Sequence, residues 1–324
     1  FNVPDGGVAE IVSATPDGRT LLYTDAGGQA IGVVDIADPA APAQVARIAM
    51  PGEPTSVAVT GDGARALVAV NTSVREEGAP PVLTPGRLVV IDIATRTIAA
   101  EVEIGVGPDS VGVTRIDGVD VAVVAIENEP VVVDADGNLT DGEDPGLPGD
   151  VSGPGLVQVV AFEAGGPRVI DVPLAPLAER LLFPDDPQPE FVSIRGARAA
   201  ISLQENNGVA IVDVSAALAG GDAVERVFSV GTARNRPADL ADDDTIAFRD
   251  RYPADIDPAE QPAAGARMPD AVAWSADGRT VFTADEGEQD FTGGRGWSAH
   301  DAATGRTVWE DTQLERTAAR FGHY

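Results

Sequence analysis

Three short runs set carboxylate and amide oxygens at or just past the ends of apolar segments: Glu127-Asn128-Glu129, Glu205-Asn206-Asn207 and Asp285-Glu286, with Glu288 just beyond. These are hard oxygen donors, the kind a Ca²⁺ ion gathers six to eight at a time from several loops. Asp25 and Asn71 hold the corresponding place in two earlier segments. Glu53, Asp109, Asp186, Glu190 and Asp270 stand in the connections that lead into the following segments. Glu127, Glu205, Asn206, Asp285 and Glu286 are the leading candidate metal ligands, with Asp25 and Asn71 weaker ones. For each of them the alternative is a solvated surface acid or a turn former.

A second oxygen-rich run reads Asp134-Ala135-Asp136-Gly137-Asn138. Asp134, Asp136 and Asn138 alternate as at the start of a calcium loop. The glycine nevertheless falls at the fourth position, and Pro145 replaces the bidentate glutamate at the twelfth. A turn within an insertion is the competing reading.

The catalytic inventory is short. His300 and His323 are the only histidines and cysteine is absent, which excludes a histidine-rich metal centre, thiolate catalysis and disulfides. No nucleophile elbow, phosphate loop or zinc-protease motif occurs, so no catalytic residue is assigned. His300 sits in an apolar strand beside Trp297, where a structural role is expected, and Trp274, Trp297 and Trp309 are expected in the core. The formal charge is −30, from 52 acids against 22 bases, all of them arginine. Such a field repels nucleic acid and anionic lipid and draws cations and cationic partners.

These residues need strands to position them. An Asp-Gly or Gly turn repeatedly precedes an alternating apolar segment: Asp17-Gly18 before Thr20–Thr24, Asp62-Gly63 before Ala66–Val70, Asp117-Gly118 before Val121–Ala125, Gly196 before Ala199–Leu203, and Asp277-Gly278 before Thr280–Ala284. Each is a hairpin turn feeding a strand. A shorter strand, introduced by proline in four of the units (Pro54, Pro108, Pro189, Pro269), precedes the turn, and two more follow. Four strands repeated about five times predict an all-β β-propeller of four-stranded antiparallel blades, as one domain over 1–324. The approximate blades are 8–50, 54–103, 108–173, 189–231 and 269–311. A β-sandwich is the alternative, since it also strings short strands at regular spacing. The stretches 175–180 and 215–219 read as short helical insert turns. In an antiparallel meander, the end of the second strand and the connection into the next blade emerge at one end, which gathers the oxygen donors on one face.

The Pro-Asp-Gly-Arg turns followed by Val-Ile-Asp strands resemble the YVTN-type repeat of bacterial surface propellers. Pro189-Glu190-Phe191-Val192, Leu203-Gln204-Glu205-Asn206-Asn207, Pro269-Asp270-Ala271-Val272 and Thr283-Ala284-Asp285-Glu286-Gly287 resemble the choice-of-anchor I family. That resemblance implies a secreted or surface-attached protein, and some members carry names invoking phytase-like esterase or alkaline phosphatase activity. Related sequences run on for further blades, so a seven-bladed ring with a missing C-terminal part is expected. Two functions stand side by side: an extracellular cation-binding module that meets a surface or cationic partner, or a calcium-dependent phosphoesterase in which arginine orients the substrate. An arginine beside the acids on the same face would favour the second: Arg295 follows Asp285-Glu286, and Arg234 with Arg236 precedes the run from Asp242 to Asp244.

Overall fold

The computed structural model describes residues 3, 7, 9–75, 79–134, 136–142, 146–147, 149–174, 181–233, 237–239, 247–251, 265–287, 294–311 and 313–321. Five four-stranded antiparallel sheets follow one another, each with its strands in simple meander order. Blade 1 comprises Ala9–Ala14, Thr20–Asp25, Ala30–Asp35 and Ala43–Ala49. Blade 2 comprises Glu53–Val59, Arg65–Asn71, Pro85–Asp92 and Thr97–Val106. Blade 3 comprises Pro108–Ile116, Val119–Ile126, Leu156–Glu163 and Gly166–Pro173. Blade 4 comprises Pro189–Arg195, Arg198–Leu203, Gly208–Asp213 and Val224–Ser229, and blade 5 Pro269–Trp274, Thr280–Asp285, Gly296–Asp301 and Thr307–Glu310. The first strands pack on one another in succession from blade 1 to blade 5, as the innermost strands of a propeller do.

Burial explains why the middle strands read as nearly unbroken apolar runs. In the second strand of blade 2, Ala66, Val68 and Val70 join Leu22, Ile31 and Val33 of blade 1, while Leu67 and Ala69 join Val111, Ala122 and Val124 of blade 3. Val121, Val123 and Ala125 of blade 3 turn the other way, onto Ala199 and Ile201 of blade 4. Ala200, Val209 and Ile211 of blade 4 then pack with Val272 and Val281 of blade 5. Both faces of an inner sheet are therefore buried, and alternation would leave one face polar. Full burial of a valine, leucine or isoleucine contributes about 1.5–3 kcal/mol. A two-sheet sandwich would bury only one face of each sheet, so this packing excludes it.

Serine hydroxyls join the innermost strands in a repeated way. Ser13 Oγ accepts from Val59 N at 3.1 Å, Ser56 Oγ from Val111 N at 3.1 Å, and Ser110 Oγ from Val192 N at 3.2 Å. Each bond pairs a first-strand amide with the preceding blade, satisfying a backbone donor that would otherwise be buried unpaired.

Three of the Asp-Gly turns share one geometry, whereas Asp117 and Gly118 both take positive φ. Asp17 Oδ1 accepts from Thr15 Oγ1 at 2.6 Å and Arg19 N at 3.1 Å, and Gly18 adopts φ +68°, the left-handed region open to glycine. Thr60 with Asp62 and Ser275 with Asp277 reproduce it. These hydrogen bonds hold the three exposed carboxyls below their ordinary range.

A hairpin of Val131–Val133 and Leu139–Asp141 is inserted in blade 3, and a one-turn helix, Val214–Leu218, follows the third strand of blade 4 with Asp213 as its N-cap. The stretch 175–180 lies outside the described residues. Trp274 is half-buried between blades 4 and 5, its Nε1 donating to Ser193 O at 3.1 Å and its ring facing Arg198. The other two tryptophans correct the expectation of a core role. Trp297 and Trp309 are 36% and 44% exposed, their rings 3.9 Å apart on the face of blade 5 turned away from blade 4.

Candidate functional site: a carboxylate cluster between blades 3 and 4

The first strand of every blade slips by a residue against the second, near its start. A β-bulge of this kind re-aims the side chains it carries. In blades 3, 4 and 5 the slipped stretch holds Asp109, Glu190 and Asp270. The pairings Pro108 with Ile126, Pro189 with Leu203 and Pro269 with Asp285 then set each bulge beside the end of the second strand. Glu127 and Glu205 lie just past those ends.

Across the junction of blades 3 and 4, carboxylate oxygens of Glu127, Glu190 and Glu205 all lie within 4.8 Å of one another. Burial pushes Glu127 well above the ordinary carboxyl range, and the charges of Asp109, Glu129 and Glu205 add to it. Glu190 is raised well above that range by burial, then by the charge of Glu205 and a side-chain hydrogen bond with it. Asp109 is pushed up to about 7 by burial together with Glu129, Asp270 and Glu205. The common cause is carboxylates drawn from water and set against one another, which holds protons at the site near neutral pH. A divalent cation would relieve the same repulsion by replacing those protons, and the donor set of three carboxylates suits a hard ion.

A polar cavity of about 310 Å³ adjoins the cluster on the side of blade 2, lined by Glu53, Thr55, Asn71, Asp109, Glu127 and Glu129 among others. Arg75 forms part of its wall. The guanidinium meets Glu129 Oε2 at 3.3 Å and donates to the Glu129 carbonyl at 2.9 Å, so this arginine ties the loop after Ile126 to blade 2.

The remaining candidates go elsewhere. Asn206 is wholly buried: its Nδ2 donates to the carbonyls of Leu182, Phe183 and Asp186, and its Oδ1 accepts from Gln188 N, so its amide is spent on shaping the loop before Pro189. Asp285 faces blade 4, accepting from Ser298 Oγ at 2.9 Å and lying 3.6 Å from the buried guanidinium of Arg267. Its carboxyl is raised by burial, with Thr283, Arg267 and Ser298 opposing that rise. Glu286 accepts from Gln204 Nε2 at 3.2 Å, and its carbonyl accepts from Arg295 Nε at 3.0 Å. Asp25 pairs with Arg47 at 2.6 Å, and Asn71 Oδ1 accepts from Ser73 N. Asp134 accepts from the amides of Asp136 and Asn138 and so closes the inserted hairpin, with Asp136 and Asn138 exposed beside it. Glu288, His323, Arg234, Arg236 and the run from Asp242 to Asp244 lie outside the described residues. His300 is fully buried against Phe228 with Nε2 at 3.0 Å from Ser298 Oγ, and burial, reinforced by Arg267, lowers its pKa to about 4. It is neutral core at ordinary pH.

Asp109 and Glu190 are noticed in the sequence only as connection acids. The signal that raises them is the proline before each, which marks the start of the bulged strand.

The family model described as the choice-of-anchor I domain matches residues 10–323. No curated protein matches the chain. Among solved structures it is similar to hydrazine synthase of Kuenenia stuttgartiensis (17% identity over 86% of this chain and 80% of that one, TM-score 0.40). It is also similar to a functionally unknown protein from Desulfotomaculum acetoxidans DSM 771 (10%, 97% and 88%, TM-score 0.44). A chain of a nidogen/laminin complex gives 9%, 96% and 81%, with a TM-score of 0.49.

Proposed function

The chain belongs to the choice-of-anchor I family, and from that premise we propose an extracellular, surface-associated propeller that binds a divalent cation, Ca²⁺ in the first instance, between blades 3 and 4. The observation that carries this reading is the meeting of Glu127, Glu190 and Glu205 within 4.8 Å at a half-buried junction. Three carboxylates brought together without a cation repel one another, so an ion there stabilises the folded chain as well as marking a binding face. The charge of −30 suits a cationic partner at that face and disfavours nucleic acid. Among the described residues no helix is long and apolar enough to cross a bilayer. Calorimetric titration of the purified protein with CaCl₂ tests the reading: saturable binding that Glu205→Gln removes is expected, and the absence of any binding would overturn it.

A second reading, a calcium-dependent phosphoesterase, draws support from Arg75 in the wall of the acidic cavity. The guanidinium is engaged by Glu129 and its loop, which leaves it less able to orient a phosphate, and His300, the one described histidine, is buried in the core of blade 5. Binding without hydrolysis is therefore the preferred function. Calcium-dependent release of phosphate from a monoester or phytate, lost in Arg75→Ala, would reverse that preference.

A further inference from the structure

Gln188 is 1% exposed, and among the described residues neither its side-chain Oε1 nor its Nε2 meets a hydrogen-bond partner. A buried amide in that state is uncommon, because both dipoles give up water and gain nothing in exchange. The surrounding backbone does not leave it there by accident of a loose loop. Gln188 N is held by Asn206 Oδ1 at 2.8 Å, and Asn206 in turn fixes the three carbonyls of the loop leading to it.

Three backbone connections set the Gln188 segment beside the segments that carry the three carboxylates. Glu190 lies two residues further along the same bulged segment. Asn206, which holds the Gln188 amide, directly follows Glu205. The carbonyl before Gln188, that of Pro187, accepts from Gly155 N at 2.9 Å, and a Cβ on Gly155 would come within 2.7 Å of Pro187 O and 2.5 Å of Glu127 O. Gly155 thus lets the Gln188 segment approach the Glu127 segment more closely than any side chain would permit. The segment that carries Gln188 is thereby joined to the segments of all three glutamates.

We propose that Gln188 is the neutral oxygen donor of the cation site, its Oε1 meeting the ion or a water on it. This rests on the cation-binding reading above. It explains why a polar residue persists at a fully buried position, and it supplies a donor that adds no charge to an already crowded set of carboxylates, as hard cations of high coordination number accept. An outer or neutral partner of this kind typically matters about 10–100-fold in metal affinity.

Calcium titration and thermal melting of the full chain test it with two variants. Gln188→Met keeps the volume and removes both dipoles: the expected result is calcium affinity at least about tenfold weaker, with melting in EDTA unchanged or higher, since no paired group is lost. Gln188→Glu keeps an oxygen in place: calcium binding is expected to be retained while melting in EDTA falls, because a fourth carboxylate joins the cluster. Wild-type affinity in Gln188→Met would overturn this proposal and leave the cation site standing. A wild type that binds no calcium would overturn both. Should Gln188→Met fail to fold, loss of calcium binding in a folded Gln188→Glu would equally refute the assignment.

Discussion

Glu127 at the end of blade 3 and Glu205 at the end of blade 4 are 78 positions apart in the chain, yet their carboxylate oxygens approach within 4.8 Å across the blade junction. Glu190 joins the pair from the bulged strand beside them. This arrangement has measurable consequences.

Calcium should raise the melting temperature by binding the native state alone. At a free concentration of about 100 times Kd the gain is about 2.7 kcal/mol. Glu127→Gln and Glu205→Gln should lose that gain while melting in EDTA no earlier than the wild type, since each removes one repelling charge. Differential scanning calorimetry at fixed ionic strength checks both halves, and variants that keep the calcium gain would remove these residues from the site.

The pH dependence has a definite sign. Asp109 is pushed up to about 7 from an ordinary 3.8, so the folded chain holds its proton more tightly than the unfolded one. That contribution is fully present below about pH 4 and is lost as pH rises through about 7. Glu127 and Glu190 are raised in the same sense. His300, lowered to about 4 from 6.5, acts oppositely: its contribution is present above pH 6.5 and lost as pH falls through about 4. Only the carboxylates answer to calcium. The stabilisation by calcium, measured as the difference between melts with the ion and with EDTA, should therefore grow from pH 5 to pH 8. A difference that is flat across that range would mean the carboxyls do not release protons to the ion.

Asp285→Ala should behave differently from the glutamate variants. It strips a buried acceptor from Arg267 and Ser298 while Arg267 keeps its ion pair with Glu310, so the cost is that of leaving buried donors unpaired, about 1–3 kcal/mol. The loss should be the same in calcium and in EDTA. If it is confined to the calcium melt, Asp285 is a ligand after all.

Ser110→Ala should leave the Val192 amide, buried between blades 3 and 4, without an acceptor, at a cost of about 1–3 kcal/mol. Hydrogen exchange at Val192 should accelerate more than at Ile201, whose partners are unchanged. Equal acceleration at both would indicate a global effect only.

The repeat made the fold and one end of it legible. Asp17-Gly18, Asp62-Gly63 and Asp277-Gly278 announce the same turn because only that pair supplies both the acceptor and the left-handed φ. Once the turns set the phase, Glu127 and Glu205 fall at strand ends on a common side. What the residues could not disclose is the bulge: a one-residue slip decides which face Asp109 and Glu190 take, and it leaves no mark beyond a proline. Asn206 and Asp285 share the right end of their blades but are drawn to backbone carbonyls and to Arg267, contacts set by loops and neighbours distant in sequence. Trp297 and Trp309 depart from the expected core role for a related reason: an apolar strand in the last described sheet has the same pattern as the others, and only the packing against its far face distinguishes it.

The interleaving of side chains between sheets gives this molecule the character of a short one-dimensional lattice. Blades 2, 3 and 4 each contribute to two apolar clusters, whereas blades 1 and 5 contribute to one, so no blade owns a core that would sustain it alone. In such a lattice, stability is approximately a sum of terms within each blade and between neighbours. The junction that brings the three glutamates together joins blades 3 and 4, each of which also packs on a described neighbour on its other side. An ion bound there would couple blades 3 and 4 directly, so metal would slow exchange in Val119–Ile126 and Arg198–Leu203 more than in Ala9–Ala14, which shares no apolar cluster with that junction.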